Sequence, residues 1–321
     1  MKSVLSLTLC LLLLPWSSVA GTDYAVSEAS IRQAPCRFGV AQTDQDIQRY
    51  FQNRADKVIS ETTAQGFNFK NDSAELIRIF KNLTEADPYR ETRQDTRLFA
   101  PAAQRCSTVI CATESLFGKE NAWKVLYLNS RFNLNVSHFR FDHASAWNPT
   151  ELGTILRALS LVPTELSRFS ENKKLVHYRR GAKDPRNDSS AVAANSEILV
   201  YDFWNTLSEE KKIYILLHEF AHLWALKEDG NDMDRSEAWL QITGWEMIPS
   251  IPDVLWQHNG RKTFWVSNYA QSNSIEDFAE SVMAYLFEPQ KLQHNDPAKY
   301  RFLKGTLFGG KDFHQPGLCA N

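Results

Sequence analysis

The chain has 321 residues, 43% of them hydrophobic, and a formal net charge of −2. This composition is typical of a globular protein with a sizeable core. The net charge is close to zero and the sequence contains no block of basic residues, which argues against a nucleic-acid partner.

The first 20 residues have the three regions of a cleavable signal peptide. Lys2 supplies a positive charge, an apolar run follows from residue 4 to residue 14, and Ser18-Val19-Ala20 supplies small residues before the expected cleavage site. The apolar run is too short for a membrane span, and no later stretch approaches about 18 uninterrupted apolar residues. The sequence therefore predicts a secreted or periplasmic protein without a membrane anchor, and it leaves the oligomeric state open.

Four cysteines follow the predicted cleavage site, namely Cys36, Cys106, Cys111 and Cys319. An even number of cysteines in an oxidising compartment predicts two disulfide bonds. Three pairings are possible, and the sequence does not choose among them. A cysteine metal site is disfavoured, because no two cysteines have the C-x-x-C spacing.

The mature chain is long enough for two parts. Residues 21–120 are polar and charged, with helices expected at 44–62 and 74–83, so we expect a mainly helical region there. This region contains no recognisable motif. Its role stays open between an inhibitory propeptide, a substrate-recognition module and an integral part of the fold. The second part covers residues 121–321.

The second part contains both strands and helices. Apolar runs predict strands at 123–128, 174–178 and 194–203, and helical spacing predicts a helix at 149–161. A further helix is expected at 237–245. Four tryptophans gather in the later part of the chain, and they either line substrate subsites or cap the core: Trp239, Trp245, Trp256 and Trp265.

The most informative motif is His218-Glu219-Phe220-Ala221-His222, within a predicted buried helix that begins at a capping box of Thr206 and Glu209. Two histidines four residues apart project from one helical face, so both imidazoles can reach one metal ion. Without partners, each buried polar group would cost roughly 1–3 kcal/mol, and a shared metal removes most of that cost. The alternative is a pair of hydrogen-bonded core histidines beside a solvated Glu219.

A third ligand distinguishes the classes of zinc hydrolase. The chain lacks the glycine and histidine that a metzincin needs three and six residues after the motif, so that class is excluded. Further along, Ser274 and Asp277 predict a capping box that opens another helix, on which Glu276 and Glu280 share one face. One such carboxylate can bind the metal while the other accepts the spare N–H of a ligating histidine. The alternative is a solvated acidic face at a helix N-terminus.

An HExxH motif followed by a glutamate on a later helix, with an acid four residues beyond it, resembles the gluzincin metallopeptidases, the thermolysin-like clan. Within that clan, the motif with Tyr269 and Glu276-Asp277-Phe278-Ala279-Glu280 is most similar to the catalytic domain of the anthrax lethal factor type. In those enzymes a tyrosine seven residues before the glutamate ligand faces the metal. The specific motifs lie in the last third of the chain. The chain departs from the thermolysin form by a long insertion between His222 and Glu276.

This resemblance implies an α+β, zincin-like catalytic domain at residues 121–321, preceded by the mainly helical region at 21–120. A small mixed sheet would carry the active-site helix, and its edge strand, expected at 198–201, would pair with an extended peptide substrate. For the site, the resemblance implies Zn²⁺ bound by His218, His222 and Glu276, with Glu219 as the general base, Tyr269 as the oxyanion donor and Glu280 as the hydrogen-bond partner of a ligating histidine.

The chemistry of such a site follows from its ligands. Three protein ligands leave zinc an open position for a water whose pKa falls to about 7. Glu219 takes a proton from that water and returns it to the leaving amine, while zinc and Tyr269 stabilise the oxyanion. The predicted function is a secreted zinc-dependent endopeptidase acting on a protein or peptide. Two alternatives stay open: a zinc hydrolase acting on a non-protein amide such as a cell-wall peptide, and a zinc-binding toxin or binding protein without turnover.

Overall fold

The computed structural model describes residues 25–34, 38–54, 62–64, 67–69, 72–84, 106–136, 147–169, 176–181, 190–194, 197–227, 230–249 and 254–312. The predicted signal peptide at residues 1–20 lies outside the described residues, and so do Cys36 and Cys319. Within the described residues, no helix is both long enough and apolar enough to cross a membrane.

The described residues form an α+β fold that is mostly helical, which confirms the predicted class at that level. The helix expected at 74–83 is present. The helix expected at 44–62 is shorter than predicted and ends at Arg54. Residues 62–64 instead pair antiparallel with residues 67–69, where β-branched threonines favour a strand. The helices and strands up to residue 132 are α1 (Glu28–Arg32), α2 (Asp44–Arg54), β1 (Thr62–Ala64), β2 (Phe67–Phe69), α3 (Ala74–Thr84), α4 (Val109–Phe117) and, at the start of the second part, α5 (Ala122–Phe132).

The run at 123–128, which was expected to be a strand, belongs to helix α5. A short apolar run fits a buried helix as well as a buried strand, so the pattern alone does not separate the two. Val125, Leu126 and Leu128 are all buried in this helix. Asn133 then ends the helix in the left-handed conformation, with a φ of 58°.

A four-stranded mixed sheet lies beside the motif helix. Its strands are β3 (Leu134–Asn135), β4 (Val176–Gly181), β5 (Ala191–Ala194) and β6 (Glu197–Tyr201), in the order β3-β4-β6-β5. β4 is parallel to β3 and to β6, and β5 is antiparallel to β6. The two strands expected before the motif are therefore present at shifted bounds.

The edge position expected for residues 198–201 was wrong. These residues belong to β6, which pairs with β4 on one side and with β5 on the other. β5 is the edge strand of the described sheet at this end. It consists of three alanines and one valine, and alanine is depleted in strands, so its composition does not predict a strand.

The remaining helices pack around the motif helix. That helix, α8 (Glu209–Ala225), contacts α6 (Pro149–Leu159), α10 (Ser274–Phe287), α1 and strand β5. The helices expected at 149–161 and 237–245 are present, and each ends two residues earlier than expected. The elements are α6 (Pro149–Leu159), α7 (Thr164–Ser167), α8 (Glu209–Ala225), α9 (Glu237–Thr243), β7 (Trp245–Pro249), β8 (Val254–His258), α10 (Ser274–Phe287), α11 (Pro289–Asn295) and α12 (Pro297–Thr306).

One disulfide bond joins Cys106 to Cys111, immediately before and within α4. The prediction of disulfide bonds is therefore confirmed for this pair. Of the three pairings that four cysteines allow, only the one with this bond remains. It leaves Cys36 and Cys319 as the other predicted pair.

A fully buried ion pair joins α10 to α12. Lys299 Nζ lies 2.6 Å from Asp277 Oδ1, and both side chains have 0% exposure. The same ammonium donates to the carbonyl oxygen of Phe264 at 3.1 Å. A buried charge that keeps its partner and its hydrogen bonds is tolerated, whereas one that loses its partner is strongly destabilising.

Three of the four tryptophans surround this ion pair. Lys299 Nζ lies 5.1 Å from the ring centre of Trp265 and 5.8 Å from that of Trp239. Trp245 donates its indole N–H to Asp277 Oδ2 at 3.3 Å. Trp256 instead lies in β8, opposite Met247 of β7. The structure thus favours the interpretation that Trp239, Trp245 and Trp265 cap the core.

Replacing the buried lysine should destabilise the whole fold. We expect Lys299→Met to lower the free energy of unfolding by about 3–5 kcal/mol, because the variant leaves the Asp277 carboxylate buried without its partner. The measurement is denaturant unfolding followed by circular dichroism. Lys304→Met is the matched control, since its pair with Asp312 is partly exposed and should be worth about 1 kcal/mol or less. Equal losses in the two variants would contradict this account.

Candidate metal centre

Helix α8 presents the HExxH motif from a buried position. Ser208 caps the helix and accepts a hydrogen bond from the Lys211 N–H at 3.3 Å. The capping box expected at Thr206 and Glu209 was wrong, because Thr206 lies in a 3₁₀ turn and donates its hydroxyl to the Phe203 carbonyl. Buried apolar side chains before and after the motif hold this helix in the core.

Helix α10 presents the two glutamates. Its cap is Asn273, whose side chain accepts from the N–H groups of Ile275 and Glu276, both at 2.9 Å. The expected cap at Ser274 was wrong by one residue: Ser274 lies inside the first turn and donates to the Asp234 carbonyl at 2.6 Å. Asp277, the expected partner in that capping box, instead pairs with Lys299.

Three atoms from the two helices converge on one point. His218 Nε2 lies 2.9 Å from Glu276 Oε2 and 3.2 Å from His222 Nε2. His222 Nε2 lies 3.5 Å from the same Glu276 oxygen. A tetrahedral ion that holds its ligands about 2.0–2.1 Å away separates neighbouring ligand atoms by about 3.3–3.4 Å. The three observed separations lie around this value, so the set is close to the spacing that a bound ion requires.

The chemistry of these atoms also fits a cation. His218 Nδ1 lies 2.8 Å from Glu280 Oε1, and if it donates its proton there, Nε2 carries a lone pair. A second imidazole nitrogen and a carboxylate oxygen face the same point. Two histidines and one carboxylate form a ligand set of catalytic zinc sites. Among the described residues, His218, His222 and Glu276 are the group whose ligand atoms all lie within 4.8 Å of one another.

The two glutamates occupy different places. Glu276 faces the Nε2 atoms of both histidines, whereas Glu280 contacts His218 on the opposite edge of the ring. Burial would raise the pKa of Glu276, but His222 and His218 hold that pKa well below its ordinary value, so the carboxylate is ionised. This placement favours Glu276 as the ligand and Glu280 as the partner of a ligand.

Glu219 lies beside the convergent atoms, on the same helix. It is buried, and its Oε2 accepts the backbone N–H of Ala193 in β5 at 2.6 Å. Burial raises the pKa of Glu219 above its ordinary value, although the neighbouring histidines oppose this shift. A carboxyl group with a raised pKa both accepts and returns a proton more readily near neutral pH.

Tyr269 enters the site from the 3₁₀ turn Tyr269–Gln271 that leads into α10. Its ring centre lies 5.7 Å from that of His218. The residue is 39% exposed, yet its hydroxyl hydrogen-bonds Glu276. Burial of that hydroxyl, together with the charges of Glu276 and Glu219, holds the pKa well above its ordinary value. The hydroxyl therefore keeps its proton and can donate it in a hydrogen bond.

Two contacts of the site were missed from the sequence. Tyr214 donates its hydroxyl to Glu280 Oε1 at 2.5 Å, and Ala193 contributes its backbone N–H to Glu219. Tyr214 stands one helical turn before His218 on the same face, so helical spacing contained the signal. The Ala193 contact could not be predicted from the sequence, because its donor is a backbone N–H, which nearly every residue type has.

A scan against protein-family models found no match, and searches of curated proteins and of solved structures found none either.

Removing either glutamate separates their roles. We expect Glu276→Ala to lose bound zinc on dialysis, because it removes a ligand. Glu280→Ala should weaken zinc binding by roughly 10–100-fold, the scale for the hydrogen-bond partner of a ligand. The dissociation constants can be measured by competition with a chromophoric chelator. Glu237→Ala, an exposed glutamate on α9, is the control that should leave affinity unchanged. Loss of zinc in Glu280→Ala with retention in Glu276→Ala would reverse the assignment.

Proposed function

We propose that this protein is a secreted zinc-dependent endopeptidase with a zincin-like catalytic domain. The observation that carries the proposal is the convergence of His218 Nε2, His222 Nε2 and Glu276 Oε2, with the buried Glu219 on the same helix. A mixed sheet lies against that helix, as such a domain requires. The signal-peptide pattern in the sequence supports export.

Zinc bound by these three ligands supplies a Lewis acid that activates water and polarises a carbonyl group. The protein residues then divide the proton transfers and the charge stabilisation. Glu219 accepts the proton of the attacking water and delivers it to the leaving amine. Its hydrogen bond from Ala193 fixes one carboxylate oxygen, which leaves the other free for this transfer.

In this proposal the Tyr269 hydroxyl stabilises negative charge on the carbonyl oxygen of the substrate. It keeps its proton, and it borders the ligand His218. In the structure this hydroxyl bonds to Glu276, so in the reaction it would turn from that carboxylate to the carbonyl oxygen, where a hydrogen-bond donor lowers the barrier by stabilising the developing oxyanion.

The position of the edge strand β5 favours an extended peptide as the substrate. Ala193 lies opposite Ile198 of β6, and its N–H bonds to Glu219 rather than to β6. The outer edge of β5 therefore faces the general base. A peptide added as a further strand along this edge would pass directly beside Glu219, with main-chain hydrogen bonds that do not depend on its sequence.

Glu219→Gln tests the proposal most simply. The amide keeps an oxygen that accepts the Ala193 N–H, so we expect fold and zinc content to be retained, while the rate falls at least 10²-fold on the scale of general-base catalysis. The assay is cleavage of a diverse peptide library, read by mass spectrometry. Cuts that are equal in the wild type and the variant would contradict the mechanism. No cuts by the zinc-loaded wild type would contradict the peptidase proposal and favour a zinc-binding protein without turnover.

Tyr269→Phe should reduce turnover without loss of zinc. Removing one oxyanion donor typically lowers kcat by about 10²-fold or more. The measurement is kcat and KM on a peptide found in the library, beside the zinc content of each protein. Tyr285→Phe is the control, because its hydroxyl bonds to the Lys311 carbonyl, away from the metal centre. An unchanged kcat in Tyr269→Phe would remove this residue from the mechanism.

A further inference from the structure

We propose that Tyr214 and the N-terminal segment, residues 25–32, are positioning parts of the metal centre: together they hold Glu280 against the ligand His218. The inference rests on the proposed metal centre, and it deepens that proposal. It assigns the start of the described chain to the working enzyme rather than to an inhibitor that must be removed.

Three hydrogen bonds form a continuous chain from the N-terminal segment to His218. The Ala25 N–H donates to the Tyr214 hydroxyl at 3.2 Å, and that hydroxyl donates to Glu280 Oε1 at 2.5 Å. His218 Nδ1 lies 2.8 Å from the same oxygen. A carboxylate oxygen can only accept, so the Tyr214 proton points to Glu280 and its lone pair to Ala25.

Glu280 has few other restraints. It is 1% exposed, so water does not compete for it, and its second oxygen, Oε2, has no hydrogen-bond partner in the described part of the chain. Both donors therefore act on Oε1 alone, and they set the orientation of the carboxylate. Losing the Tyr214 hydroxyl removes one of the two.

The N-terminal segment is attached to both helices that supply the metal ligands. Ser27 N–H and Ser30 Oγ donate to Glu288 Oε1, at 3.1 and 2.9 Å, directly after the end of α10. Arg32 Nε donates to Glu210 Oε1 in the first turn of α8 at 2.8 Å. Helix α1, which lies between these contacts, buries Ile31 in the core.

The hydrogen-bond chain through Tyr214 and Glu280 reaches His218 on the edge of the ring opposite the three convergent atoms. The chain of hydrogen bonds reaches the ring at Nδ1, while the ligand atom is Nε2. In this arrangement the segment orients His218 through Nδ1 and does not occupy the Nε2 edge, where the ion would bind.

Zinc affinity of the full-length mature protein tests the inference without any need for turnover. We expect Tyr214→Phe to raise the zinc dissociation constant on the order of 10-fold, the lower end for residues that orient a metal ligand. Glu288→Ala, which removes the bonds of Ser27 and Ser30 without touching the site, should shift the constant in the same direction. Tyr285→Phe is the matched control and should leave it unchanged, because Tyr285 is as buried as Tyr214 but bonds elsewhere.

Hydrogen exchange provides a second readout, which a merely structural role would not move. Because binding free energies are reciprocal, zinc should slow amide exchange in a peptide that covers residues 25–32. This protection should be present in the wild type and weaker in Tyr214→Phe. It remains informative if Tyr214→Phe folds poorly, since Glu288→Ala and the wild type still report it.

The outcomes are distinguishable from those of the proposed function. A wild type that binds zinc, with equal affinity in Tyr214→Phe and no zinc-dependent protection of residues 25–32, would overturn the inference and leave the peptidase proposal intact. A wild type that binds zinc and shows both effects but cuts no peptide would support the inference and overturn the peptidase. A wild type that binds no zinc would overturn both.

Discussion

The imidazole of His218 is the polar link between α8 and α10, because it contacts Glu276 at one edge and Glu280 at the other. Two carboxylates one helical turn apart hold both nitrogens of one ring, and this sets how α10 is rotated relative to α8. Because His222 lies one turn further along α8, the same rotation brings its Nε2 within 3.5 Å of Glu276. Three buried polar groups then face one point, where a single cation gives each of them a partner.

Residues on the helices around α10 provide partners for the acidic side chains that α10 buries in the core. Its first two turns carry three buried carboxylates, Glu276, Asp277 and Glu280, and an unpaired buried charge is costly. Their partners come from the neighbouring helices: the histidines of α8 for Glu276, Lys299 of α12 for Asp277, and, for Glu280, the other edge of His218 together with Tyr214. The helices around the site are therefore tied to it by polar contacts as well as by apolar packing.

The sequence predicted the motif helix, the glutamate helix and the α+β class, because helical spacing and the HExxH pattern are local signals. It placed both helix caps wrongly, since several Ser, Thr and Asn residues near each end could serve as caps. The apolar run at 123–128 predicts a strand but forms a helix, because short buried helices and buried strands have the same composition. The edge strand β5 and the Ala193 contact with Glu219 arise from tertiary pairing of a weak alanine-rich strand, which no local pattern predicts.

The central claim is that His218, His222 and Glu276 bind one zinc ion. Crystals of the zinc-loaded protein, measured at wavelengths on either side of the zinc absorption edge, test it directly. We predict one anomalous peak about 2.0–2.2 Å from both Nε2 atoms and from a Glu276 oxygen. A protein that contains one zinc ion per chain but places the peak on other residues would contradict the claim.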